Sequence, residues 1–189
     1  MATAAKEQGV EGHDAERRFY ARMALAIIIM TFIGFAPSFY LFQLVSYPRP
    51  NPALTPLVML HGLALTTWLA LFYTQIRLVA AKRRDIHRQL GVWGMALGVA
   101  ILPISYLTAT HAIARGLHPP IIDAQSWSAV PLLAIPAMGF LLWMGWRSRM
   151  EPQAHKRFML VYTICMVEPG LGRWPIFPPT MAGHVISNL

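Results

Sequence analysis

A chain of 189 residues in which 56% are hydrophobic and only 13% charged is too apolar for an ordinary soluble domain, whose charged fraction is near ~25%. The formal net charge of +8 sits in short clusters between long apolar runs, not along one face, which argues against a nucleic-acid-binding stripe and for membrane topology. The one cysteine, Cys165, lies in an apolar segment, so no disulfide framework is possible and a buried small hydrophobe is expected there.

The chain begins with its one polar stretch, Met1 to Glu16, which holds four of the eight acidic residues. Residues 1–20 are therefore expected as a disordered tail, and residues 21–189 as an all-α, multi-pass transmembrane bundle of at least five helices. A bilayer core of ~30 Å takes roughly 20 apolar residues as helix. Four such spans are predicted, at Arg22–Val45, Pro56–Ala80, Gln89–Ala112 and Ser128–Trp146. The first is too long and too far from the N-terminus for a signal peptide, and no small-residue cleavage site follows it, so it is expected to stay as an anchor.

The second span carries His61, Trp68 and Gln75 at intervals of seven, which keeps them on one helix face with Leu65 and Phe72. Such a stripe binds a cofactor, lines a polar cavity or ties helices together by hydrogen bonds. The third span has Gly91, Gly94, Gly98 and Ser105 on one face, suited to close approach of a neighbouring backbone or a flat ring. A fifth span is predicted from Phe158 to about Gly170. It carries Glu168, is followed by Arg173, and ends irregularly among Pro169, Pro175, Pro178 and Pro179. Glu168 and Arg173 suit an ion pair, a proton relay or an anion site. Residues Met181 to Leu189 turn apolar again, so the sequence is expected to be truncated within a further helix.

Lysines and arginines set the orientation. Lys6, Arg17, Arg18 and Arg22 precede the first span; Arg77, Lys82, Arg83, Arg84 and Arg88 lie between the second and third; Arg147, Arg149, Lys156 and Arg157 lie between the fourth and fifth. The intervening loops hold only Arg49 and Arg115, a bias that places the N-terminus and both basic loops in the cytoplasm. With that topology His61 and His111 fall in an outer layer, and His87 and His155 in an inner one. Paired imidazoles on different helices are how a bundle holds a b-type haem, which makes these four histidines the candidate ligands of a haem b cofactor.

The unit His61-Gly62-Leu63, Trp68, Gln75 and His87-Arg88-Gln89-Leu90-Gly91, with His155-Lys156-Arg157-Phe158-Met159-Leu160 and Glu168-Pro169-Gly170-Leu171-Gly172-Arg173-Trp174-Pro175, resembles an uncharacterised bacterial family of predicted multi-pass membrane proteins. The resemblance covers about residues 55 to 175 and implies further helices beyond the end, but no activity. In layout the chain is also similar to cytochrome b561-like electron carriers. Their ligand histidines lie inside helices, whereas His87 and His155 are expected here at or beyond the helix ends.

Three functions follow. The first is a non-catalytic membrane subunit or assembly protein, embedded in lipid with a membrane protein partner or a second copy of itself. The second is a haem-binding electron carrier, and the third a small carrier or sensor with a polar path past Gln75, Glu168 and Arg173. Phosphate-cradling glycine loops, Cys-x-x-Cys, His-Glu-x-x-His and nucleophile elbows are absent from the sequence, so soluble catalytic chemistry has no visible machinery, whether the chain is an enzyme stays open, and no nucleic-acid partner is expected.

Overall fold

The computed structural model describes residues 2–44, 54–116, 123–171 and 174, with side chains from residue 15 onward except those of 168 and 171. Every element among them is helical: α1 Ala2–Phe35, running on as a π-helical turn Ala36–Tyr40, then α2 Pro56–Ala80, α3 Arg84–Ala114, α4 Ala124–Arg147, α5 Pro152–Cys165 and the single turn α6 Glu168–Leu171. Four helices are long and apolar enough to cross a membrane: Ala15–Tyr40, Pro56–Ala80, Arg84–Ala114 and Ala124–Arg147. That is fewer than the five spans the hydropathy predicts. The missing one is α5, which ends after 14 residues, ~21 Å of helix, and continues only as α6 after a break at Met166 and Val167.

Local chemistry explains most boundaries. Helix α1 reaches back to Ala2, through the stretch expected to be a disordered tail. Ala2, Ala4, Ala5, Lys6, Glu7 and Gln8 are strong helix formers, and extending an existing helix needs no new nucleus. Pro37 has no N–H to give the ladder, and the turn around it widens so that the Leu41 N–H reaches Ala36 O at 2.7 Å. Thr55 caps α2 through Val58 N–H, with Pro56 in the first turn where its missing donor costs nothing. Asp123 accepts from Ser126 N–H at 2.9 Å and so starts α4 four residues before the expected Ser128.

Two boundaries bear directly on the histidines. Helix α3 starts at Arg84 and α5 at Pro152, so His87 and His155 lie inside the first turns of helices and not outside them. Asp85 in the first turn of α3 suits the positive end of the helix dipole, and Pro152 is preset for a first turn.

The core lies where side chains of α2, α3, α4 and α5 meet. Helix α1 packs on α2, α2 on α3, α3 on α4, α4 on α5, and α6 back on α1. Tyr162 and Thr163 of α5 are fully buried, beside Trp68, Leu69 and Phe72 of α2, Ile101 of α3 and Leu142 of α4. Gly34 lies so close to Gly170 that a side chain on it would collide with the Gly170 backbone, which brings α6 against α1. The Trp174 indole N–H then donates to Met30 O at 3.1 Å. Cys165 is exposed, contrary to expectation, because Leu160, Thr163, Met166 and Val167 already form the buried face of this segment.

Candidate functional site

Trp68 and Gln75, predicted as a polar stripe on α2, do face the interior, and each meets protein. The Trp68 indole N–H donates to Thr163 Oγ1 at 3.1 Å, while the Thr163 hydroxyl donates to Met159 O at 2.8 Å. The Trp68 ring meets Tyr162 edge-on, centroids 4.8 Å apart, and the Tyr162 hydroxyl donates to Gly98 O at 3.1 Å. Three helices, α2, α3 and α5, are joined by these bonds. Gly98 makes the crossing possible, because a Cβ there would stand 2.9 Å from both Trp68 and Leu142. The glycine face of α3 is thus filled by Leu71, Trp68 and Leu142, not by a flat cofactor ring.

One end of the bundle gathers the basic residues. Gln75 lies against the start of α3, where its amide N–H reaches His87 Nδ1 at 2.6 Å and His87 O at 3.2 Å, and its oxygen accepts from Gly91 N–H at 2.9 Å. This orientation satisfies all three contacts. The opposite one would set N–H against N–H. His155 Nδ1 is 2.7 Å from Gly145 O; a carbonyl only accepts, so Nδ1 carries a proton and donates it to this bond. The two imidazoles stand 6.4 Å apart between centroids, with their planes at 88°. His87 and His155 are therefore neighbours, on α3 and α5.

Around them, Lys156 pairs with Glu16 and lies 5.4 Å over the Tyr20 ring, binding α5 to α1. Arg149 donates to Trp146 O at 3.2 Å and covers the Trp146 ring at 4.7 Å.

His61 and His111 are arranged differently. Gln75 faces Gly91, Leu71 faces Gly94 and Trp68 faces Gly98, an antiparallel register that sets His61 opposite about Ser105. His111 is six positions beyond Ser105, ~9 Å farther along the axis. His111 Nε2 is buried with no hydrogen-bond partner among the described residues. The predicted pairing of Glu168 with Arg173 lies outside the described residues, since the Glu168 side chain and all of Arg173 are among those not described.

Tyr162 and Thr163 were not singled out from sequence. The available signal was a hydroxyl pair, Tyr162-Thr163, inside an apolar run whose neighbours carry no other polar group. Comparison with known proteins adds nothing to this geometry: no family model matches the chain, and neither the curated proteins nor the solved structures contain a match.

Proposed function

We propose that the chain is a non-catalytic membrane subunit, whose interior polar residues hold five helical segments in one arrangement and whose lipid-side faces meet a partner. The carrying observation is the Trp68–Thr163 bond with its continuation through Tyr162 to Gly98. The polar stripe that suits a cofactor or a solute path is occupied by interhelical hydrogen bonds. In this proposal α5 and α6, 20 residues from Pro152 to Leu171 and ~30 Å if straight, complete an interrupted fifth crossing. The cluster of Arg83, Arg84, Arg88, Arg147 and Arg149 favours the cytoplasmic side for that end of the bundle, and a bacterial inner membrane suits such an orientation.

A b-type haem is the second reading, and one observation favours it at the inner pair. His155 donates Nδ1–H to a backbone carbonyl and leaves Nε2 for a metal, as ligating histidines do. The axial offset between His61 and His111 disfavours haem at the outer pair. Native mass spectrometry of protein extracted from its own membrane in mild detergent separates the two. A discrete assembly of fixed stoichiometry supports the subunit. A lone chain carrying one tetrapyrrole would overturn it.

A further inference from the structure

Most of the charges at the basic end of the bundle are matched within the protein. Arg83 is taken by Asp85, Lys156 by Glu16, and Arg149 by the carbonyl and ring of Trp146. Two arginines near the start of α3 are not. Arg84 and Arg88 are exposed, and neither has an ion pair or hydrogen bond among the described residues; Glu151, in the turn between α4 and α5, pairs with neither. Spaced four apart, the two guanidinium groups share a helix face and repel each other, and Arg84 in the first turn also opposes the helix dipole. An anion held between them offsets both penalties.

The same face continues as an apolar strip. At 100° per residue Arg84, Arg88, Val92 and Val99 lie within about 80° of one another on α3, and the two valines are 56% and 58% exposed. Val99 is ~16 Å along the axis from Arg88, about half of a ~30 Å hydrocarbon core and so the depth of one leaflet. Farther along, the strip is closed by α4, where Leu102 lies against Gly139 at a distance that would leave a Cβ 3.4 Å away. Cationic at one end and apolar for one leaflet's depth, this strip matches a negatively charged phospholipid and not a soluble anion. We propose that Arg84, Arg88, Val92 and Val99 bind one anionic phospholipid, with its phosphate between the two guanidinium groups and an acyl chain along the valines.

Charge sets the selectivity. Guanidinium N–H groups donate to phosphate oxygens in a fork, and a lipid whose headgroup carries no cation of its own gains the full attraction. A zwitterionic headgroup brings an ammonium close to the same arginines and forfeits most of it. A basic residue at an anionic lipid surface contributes roughly fivefold in affinity, so the pair gives a preference of roughly 25-fold.

The test is native mass spectrometry of the full-length protein released from phosphatidylcholine nanodiscs that hold a minor share of phosphatidylglycerol with the same acyl chains. One phosphatidylglycerol retained per chain is expected, enriched roughly 25-fold over phosphatidylcholine. Arg84→Gln/Arg88→Gln should lose that enrichment. Arg18→Gln/Arg77→Gln, which removes the same charge from exposed positions of α1 and α2 at the same end, should keep it. All four side chains are exposed, so neither variant disturbs the core. Soluble glycerophosphoglycerol, the headgroup without its chains, should not displace the lipid. No enrichment in the wild type, enrichment that survives Arg84→Gln/Arg88→Gln, equal loss in both double variants, or displacement by the soluble headgroup would each overturn the site. Lipid is counted per chain, so the result is independent of whether the chain assembles with a partner.

Discussion

Asp123 holds the start of α4 with its carboxylate, and hydrogen bonds from Ser126 push its pKa below the ordinary carboxylate value. A carboxyl group depressed in the folded state contributes its stability above the unfolded value and loses it as pH falls through the folded one. The protection of amides in the first turn of α4, exchange corrected for its intrinsic pH dependence, should therefore fall on acidification of the wild type. In Asp123→Asn, which keeps the accepting oxygen without the charge, that protection should stay pH-independent, and in Asp123→Ala it should be low throughout. Equal acid sensitivity in the asparagine variant would remove the carboxylate from the cap. This cap was not noticed in the sequence because Asp123 is separated from the apolar run by Ala124, Gln125 and Ser126, and hydropathy alone started the helix at Ser128. Trp68 and Gln75 were legible because a seven-residue spacing fixes one helix face without knowledge of its neighbours. Their partners Thr163 and His87 were not, since which helix meets which is decided only by tertiary packing.

Helix α1 meets α6 where two glycines leave no space between backbones, Gly34 against Gly170. Gly34→Leu has nowhere to put its side chain and should lower stability by about 1–3 kcal/mol, the usual range for overpacking. Gly139→Ala, whose nearest side-chain neighbour would be 3.4 Å away at Leu102, should change it much less. Melting temperatures in one detergent check the pair, and equal effects would contradict the close approach. Long apolar runs made the four crossing helices plain, because ~30 Å of hydrocarbon demands a length that can be counted. The fifth was harder to place. Its Pro169-Gly170 pair announced a break, but the amphipathic first turns from Pro152 carry Gln153, His155, Lys156 and Arg157, which hydropathy discards as loop. The same bias set His87 and His155 outside helices, although helical first turns tolerate charge well.

At the scale of the whole molecule, a bundle of helices tied by buried polar bonds follows from what lipid permits. Lipid offers backbone groups no partner, so the spans are helices, and apolar side chains such as Trp93, Leu133 and Trp143 are left on the outside where the solvent is hydrocarbon. The hydrophobic effect does not drive helices together there, so packing and interhelical hydrogen bonds carry the assembly. Trp68, Thr163, Tyr162 and Gly98 concentrate those bonds where α2, α3 and α5 cross. The most direct test is a double-mutant cycle on Trp68→Phe and Thr163→Val, read as unfolding free energy in a single detergent. The proposed interior predicts a coupling of about 0.5–1.5 kcal/mol between them, with each single variant destabilised. Additive effects, or a Trp68→Phe protein as stable as the wild type, would show that the polar stripe is not what holds the bundle together.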